Sequence, residues 1–429
     1  MLIKKIFSKA SNSCLCNTSY PLAKENWNMY RKDNFELFKD EQNLSIYIHI
    51  PFCRKMCSFC EYIKFPKMEE SVEKNYISIL EKDIDKFIKN NNNFTLCGLD
   101  IGGGTPTVLS DDSFFHLMKI SKRIMKLKCV KDFEPSIEGT FDTLTEEKIK
   151  AINEAGFTRI SLGIQTTNLE LLKKNNRENL GVDGMINIVK TIRENGIEKI
   201  NIDFMYGLAN QTLNDLKESL KIIYVLDPNQ VTLYEMRYNM LLHKQDIDKK
   251  YLYKQYKLLY KELLKLGYIG RFGQNTFTKE ERDLGLSSYL RYRMIENISY
   301  KGFGISAQSK SKLGVSYNIG KNRESLSACL DRKSFSPSDI YELPYAELLA
   351  KYIAISLYYG SFKLSIMRDI INDDPLEIYK KHFQFLKKGN YITIDGDIVS
   401  LTEKGFKYYG SIGALFYSLS VQKWLLGSD

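Results

Sequence analysis

Cys53, Cys57 and Cys60 fall within eight residues, in the run CRKMCSFC. They follow SIYIHI, an alternating apolar run of strand type. Three thiolates so close can all reach one soft inorganic centre. Four sulfurs normally close an iron–sulfur cube, and a structural zinc site also takes four ligands. The spacing therefore points to a cluster with one iron left open for another molecule. His49 lies beside the loop but inside the strand, where a core-facing place fits it at least as well as ligation.

The rest of the chain has to position that loop. Its 429 residues allow one large domain and a smaller one. The composition is globular, at 43% hydrophobic and 27% charged. No apolar run approaches the roughly 20 residues of a spanning helix, and the basic N-terminus lacks the apolar core of a secretory signal. The expectation is a soluble, cytoplasmic protein. There are eight cysteines. Without a signal sequence, the clustered three read as metal ligands rather than disulfide partners. Cys97, Cys129 and Cys329 read as buried thiols, and Cys14 and Cys16 as part of a mobile tail. The net charge of +10 is carried mostly by lysine. No aromatic-interleaved basic stripe accompanies it, so nucleic acid is not an expected partner. A basic site for an anionic small molecule is compatible with it.

Residues 1–44 carry little periodicity and read as an extension. From residue 45, short apolar runs alternate with amphipathic helices. The strands are SIYIHI, LCGLDIGGG, PSIEGT, RISLGIQ, KINIDFMYG and QVTLYEM. The helix in TLTEEKIKAINEAG has a threonine cap, a glutamate three residues later and Gly156 as its stop. Six βα units predict an α/β fold, a partial (β/α)6 TIM-like barrel over 45–270. In such a barrel ligands sit at the C-terminal ends of the strands. Cys53, the Gly102–Thr105 turn, Glu138, Gln165 and Asp203 all fall at or near those ends. Residues 271–340 read as a connecting region, with SYKGFGISAQSK as a loop returning to the barrel mouth. Residues 341–429 read as a C-terminal α+β winged-helix-like module, with ITID and IVSL joined by Gly396–Asp397 as a hairpin. Such modules often bind nucleic acid; here a lid or packing role is expected.

In order along the chain, YIHIPFCRKMCSFC, GGGTPT, SIE, GIQ, NIDFMYG and GFGISA resemble the radical SAM superfamily. Within it they resemble the branch of the oxygen-independent coproporphyrinogen III oxidases, over roughly residues 45–420. The resemblance implies a [4Fe–4S] cluster on Cys53, Cys57 and Cys60, with S-adenosylmethionine (SAM) on the open iron. Reductive cleavage of SAM then yields a 5′-deoxyadenosyl radical. The protein supplies position and the exclusion of water. Gly103, Gly104 and Thr105 are implied to line the SAM site, and Glu138 to face a cationic group of SAM. Tyr47 and Phe59 match further SAM contacts. Gln165, Arg177 and Asp203 match positions that hold a second SAM, Arg177 suiting a carboxylate and Asp203 a ribose or ammonium group. Tyr47, Glu138 and Arg177 are the candidate catalytic residues. Gln308, beside the GFGISA loop, replaces an apolar residue in a cofactor-contact position. Arg237, near the mouth of the sixth strand, is a candidate partner for an anionic substrate or a SAM carboxylate.

Three activities follow from the resemblance. The oxidases carry a fourth cysteine two residues beyond the third, where this chain has Tyr62. The family's heme chaperones carry an HNxxYW stretch where this chain reads SSYLRYR, without histidine or tryptophan. Loss of an axial-ligand candidate argues against tight heme binding. Retention of Gln165, Arg177 and Asp203 with loss of the fourth cysteine places first a class C-type methyl or methylene transfer using two SAM molecules. Its expected substrate is planar, heteroaromatic or anionic, and its expected partner a reductase or flavodoxin-type electron donor. Coproporphyrinogen oxidation or another porphyrin reaction comes next, and heme carriage last.

Overall fold

The computed structural model describes residues 2–11, 20–39, 41–91, 93–236 and 248–427. Strands β1 (Asn43–Ile50), β2 (Thr95–Gly103), β3 (Ser136–Gly139), β4 (Arg159–Gln165), β5 (Lys199–Tyr206) and β6 (Gln230–Glu235) lie side by side in chain order. All five of these pairings are parallel. The helices between them are α2 (Glu70–Asn90), α3 (Asp111–Ile124), α4 (Glu146–Ala155), α5 (Val182–Glu194) and α6 (Leu213–Leu226); α7 (Lys249–Lys265) follows β6. A parallel strand covered on both faces must be apolar almost throughout. Ile46, Ile48, Ile101, Ile160, Ile202 and Val231 meet that demand and are all fully buried.

Local chemistry sets the ends of these elements. Thr145, not Thr143, caps α4: its side chain accepts from the Lys148 N–H. Thr143 is taken up in a 3-10 turn instead. Gly156 ends α4 in the left-handed region, at φ 101°. Thr212 and Asp215 form a reciprocal capping box at the start of α6.

The connecting region holds more regular structure than its sequence pattern conveys. Strand β7 (Thr276–Thr278) pairs antiparallel with β6. Helix α8 (Ser288–Met294) follows. The first part of SYKGFGISAQSK is not a loop. It is strand β8 (Ser299–Phe303), parallel to β1 on its free side, Ser299 facing Leu44. Then β9 (Gln308–Lys310), β10 (Gly314–Asn318) and β11 (Pro337–Glu342) continue as an antiparallel meander. The result is one 12-stranded sheet whose parallel middle forms an open, partial barrel.

After β11 comes α9 (Tyr345–Ser356) and, further on, the hairpin Ile392–Asp395 and Ile398–Leu401, joined by Ser361–Lys363 in a three-stranded sheet. These elements form a second core. Residues before 44 build part of it. Helix α1 (Leu2–Ser11) contributes Ile6, Phe7 and Ala10. Tyr20 and Trp27 are buried in it as well. The Trp27 indole N–H donates to Glu347 Oε2 at 2.9 Å, and Tyr20 donates to the same oxygen. Arg31–Lys32 pairs with β11 at the edge of the large sheet. Among the described residues, no helix is long and apolar enough to cross a membrane.

Candidate functional site

Beyond Ile50 the chain turns through Pro51 and Phe52 into the cysteine loop. Cys53 is buried, while Cys57 and Cys60 are half-buried. Each cysteine has a hydrogen-bond donor close by. Thr105 Oγ1 donates to Cys53 Sγ at 3.9 Å, and Arg177 Nη1 to Cys57 Sγ at 3.8 Å. Lys64 Nζ donates to the Cys60 carbonyl at 2.9 Å. Burial pushes the Cys53 thiol up to about 11. It also raises Cys60, and the Lys64 charge works against that rise. Ligation to iron replaces the proton, and donors at the sulfurs favour the thiolate.

Among the described residues, no three histidine, cysteine or carboxylate side chains converge on one metal ion. A cube has no such need, because each thiolate binds its own iron. Three loop cysteines, two with donors to sulfur, fit a [4Fe–4S] cluster with one iron open.

The loop is fixed from two sides. On one, the Gly104 N–H donates to the Ile50 carbonyl at 2.8 Å and the Thr105 N–H to the Phe52 carbonyl at 2.7 Å. The glycine turn after β2 is thereby stitched to the start of the loop. Gly103 has φ +106°, and a Cβ there would lie 2.2 Å from His49 Nδ1, so no other residue fits. Its N–H donates to Glu138 Oε2 at 3.2 Å. On the other side, the Ser58 N–H donates to the Asn175 carbonyl at 3.1 Å and Asn176 Nδ2 to the Met56 carbonyl at 3.1 Å. Arg177 follows directly.

Arg177 joins the loop to β4. Besides Cys57, it donates to the Gly163 carbonyl. The pairing of β4 with β5 shifts register between Gly163 and Gln165, and Gln165 has φ +68°. Such a bulge re-aims the side chain that follows it. Gln165 Oε1 and Arg177 Nε are both buried without a partner among the described residues. Buried polar atoms are seldom left so unless something else meets them. Phe59 packs beside Met205 and Leu208, so the loop also touches the region past β5.

Inside the barrel lies a small chamber lined by Asp100, Ser136, Glu138, Arg159, Asn201 and Tyr234, among others. Three carboxylates face or flank it. Glu138 projects into this space and is solvent-accessible there. Burial by the surrounding walls, then the Asp203 charge, lift its carboxyl to about 7. Asp203 accepts from Asn201 Nδ2 at 2.7 Å and Ser161 Oγ at 3.2 Å, and burial still lifts it to about 6. Burial lifts Asp100 to about 7 despite its bond from Ser287. A chamber with this much latent negative charge suits a cationic ligand.

Tyr47 lies half-buried on β1, its ring stacked on Tyr289 at 5.6 Å and its hydroxyl 3.3 Å from His49 Nδ1. Gln308 accepts from the Tyr300 hydroxyl and donates to the Tyr317 hydroxyl at 2.7 Å. Arg237, Cys14 and Cys16 lie outside the described residues. The structure thus gathers Cys53, Cys57, Cys60, Thr105, Gln165 and Arg177 about the loop. Gly103 links it to Glu138, and Asp203 lies on the adjacent wall.

Three interior residues escape sequence reasoning: Asp100, Arg159 and Arg293. Arg159 is buried and donates to Gln230 Oε1 and Ser136 Oγ, both at 2.8 Å. For Asp100 and Arg159 the signal was present, since each is a charged residue on a strand that packing makes apolar. Arg293 sits on a short helix with no such pattern.

The Radical SAM superfamily model matches residues 47–223. The heme chaperone HemW of Bacillus subtilis is 35% identical over 193 residues, 45% of this chain and 50% of that protein. The heme chaperone HemW of Buchnera aphidicola (subsp. Acyrthosiphon pisum) is 28% identical over 400 residues, 87% of this chain and 98% of that protein. The chain spans about half the length of most of the curated relatives it matches. Among solved structures, coproporphyrinogen III oxidase (HemN) from Escherichia coli superposes with a TM-score of 0.72. That match has 22% identity and covers 88% of this chain and 91% of the oxidase.

Proposed function

We propose that residues 47–223, which match the Radical SAM superfamily model, act as a radical SAM domain, and that this protein carries out radical chemistry on a tetrapyrrole-class substrate, in the manner of an oxygen-independent coproporphyrinogen III oxidase. The domain's cofactors are a [4Fe–4S] cluster and SAM, which when bound supply a reductively generated 5′-deoxyadenosyl radical. The observation that carries the reading is the junction at Arg177. That side chain reaches the Cys57 sulfur and the β4 bulge together, so the loop that holds the cluster and the Gln165–Asp203 wall form one site.

This chain's residues have separable tasks there. Cys53, Cys57 and Cys60 hold the cluster. Glu138 and the Gly103–Thr105 turn receive the SAM that is cleaved. Gln165, Arg177 and Asp203 would hold a second SAM, Arg177 supplying a cation that suits a carboxylate. Tyr47 and Tyr289 form an aromatic wall that helps exclude water from the radical.

Methyl transfer, first in order from sequence alone, gives way here. Gln165, Arg177 and Asp203 match second-SAM positions of the oxidase as well, so they do not favour it. The relatives' names are heme chaperone and coproporphyrinogen oxidase. A second reading is tetrapyrrole carriage without turnover. The Buchnera heme chaperone, matched over nearly its whole length, favours that reading.

The test is anaerobic reconstitution followed by reduction with SAM and coproporphyrinogen III. About four irons per chain are expected, with 5′-deoxyadenosine and carbon dioxide released and no S-adenosylhomocysteine. Cys57→Ala should lose both cluster and products. A full cluster that releases no 5′-deoxyadenosine sinks the enzymatic reading. S-adenosylhomocysteine without carbon dioxide returns the reaction to methyl transfer.

A further inference from the structure

Helix α8 crosses the barrel beside β1 and β2. Its Leu290 lines the chamber, and Arg293 is one turn further along, on the same face. The Arg293 guanidinium lies 4.7 Å from the Tyr300 ring centroid and 5.7 Å from that of Tyr289. Its Nη1 donates to the Tyr289 hydroxyl at 3.2 Å. Its Nε is buried and has no partner among the described residues. Among the described residues no carboxylate lies within ion-pair distance of it.

The surroundings do not neutralise this cation. Lys310 and Lys351 are buried nearby, and each is pushed down, to about 8 and about 7, by burial first and by Arg293 next. Lys310 donates to Asn297 and Lys351 to the Tyr20 carbonyl, so neither brings an anion. Asp100 is the carboxylate in electrical reach. It accepts from Ser287 and forms no ion pair among the described residues. An arginine so enclosed by phenols and other cations is costly to keep unless an anion arrives.

A row of aromatic rings links its surroundings to the cysteine loop. Tyr62 is 60% exposed, on the loop that carries the cysteines. Rings then follow inward at contact spacing: Tyr62 to His49 at 6.4 Å, His49 to Tyr47 at 6.1 Å, Tyr47 to Tyr289 at 5.6 Å. The Tyr289 hydroxyl accepts from Arg293 Nη1, while the Nε–H meets no partner among the described residues and remains for a ligand. Guanidinium and phenol hydroxyls are donors that suit a carboxylate. Stacked aromatic rings suit a flat, apolar body.

We propose that Arg293 anchors an ionised carboxylate arm of the substrate, whose ring-bearing body lies beside Tyr47 and Tyr289 toward the cysteine loop. Arg293 is then a specificity-determining residue, and the substrate class is a multi-ring molecule with carboxylate side arms. The multi-ring body rests on the tetrapyrrole reading above; the anion anchor does not.

Binding decides it. Anaerobically reconstituted wild type, Arg293→Gln and Arg293→Lys are titrated by ultrafiltration with coproporphyrin III and its tetraamide. 1-Pyrenebutyrate and 1-pyrenebutanol form a second, non-porphyrin pair. Thermal melting identifies any variant that fails to fold, and Arg293→Lys keeps the charge where Arg293→Gln does not. Arg293→Gln is expected to weaken both carboxylate probes about tenfold or more, as loss of one charged hydrogen-bond pair implies. The amide and alcohol should bind wild type and variant alike, and Arg293→Lys should recover part of the loss. Equal loss for charged and uncharged probes reduces Arg293 to packing and overturns the proposal, as does wild type that takes neither carboxylate. Pyrenebutyrate held through Arg293 with no porphyrin binding keeps the anchor and removes the tetrapyrrole reading. Coproporphyrin held equally by wild type and Arg293→Gln does the reverse.

Discussion

Asp100 and Glu138 show how single residues were read from sequence, and how they were missed. Both are acids on strands whose other positions pack in a core. Glu138 stood out because it occurs in a matching motif, whereas Asp100 did not. Both carry raised carboxyls because the charged form loses solvation inside the barrel. For Asp100 the sign of the pH effect follows directly. Its folded-state value of about 7 exceeds the usual carboxylate value. Its contribution is fully present below about pH 4 and is lost as pH rises through about 7. Asp100→Asn, which keeps an acceptor for Ser287, should therefore stabilise the ligand-free protein at pH 8 by about 1–3 kcal/mol. The gain should vanish near pH 4. Urea unfolding at the two pH values measures it, and equal gains at both would refute the assignment.

Elements matter here through their irregularities. Strand β4 is nearly uniform as sequence, RISLGIQ, yet its register shift and the positive φ of Gln165 are what turn Gln165 toward the loop. No period-two pattern reveals a bulge, because the pattern records faces and not pairing. Gly163 keeps that arrangement open. A Cβ there would lie 2.7 Å from Gln165 Nε2 and 3.0 Å from Arg177 Nη2. Gly163→Ala should leave the barrel folded but push both side chains aside. The expected outcome is a cluster of normal iron content with SAM affinity reduced about tenfold, through the loss of one charged contact. Equilibrium dialysis of SAM against the reconstituted variant checks it. Unchanged affinity would show that neither Gln165 nor Arg177 touches SAM.

At the scale of the molecule, the first residues and the last share a core. Tyr20 and Trp27 meet Glu347, buried on α9, and α1 packs Ile6 and Phe7 among C-terminal side chains. The weak periodicity of residues 1–44 hid this, since each contributes only isolated large side chains to partners far along the chain. Trp27→Ala should cost about 3–5 kcal/mol, the usual range for a buried aromatic truncated to alanine, and it also leaves Glu347 short of one donor. Denaturant unfolding gives the number. Iron content and SAM binding of the folded variant should stay near wild type, because the barrel core is a separate cluster.

The sequence by itself determined the three clustered cysteines, the order of six parallel strands, and the polar residues at or near their ends. Those are properties of spacing and period, which are local, and a motif retains them wherever the chain folds. Tertiary structure decided what no local pattern holds. It made Ser299–Phe303 a seventh parallel strand beside β1, and Arg177 a bridge from the cysteine loop to a bulge. It left Arg293 among phenols and cations without a counterion among the described residues. Each of these depends on which distant side chains arrive at one place, so the charge balance of the site is fixed only when the barrel assembles.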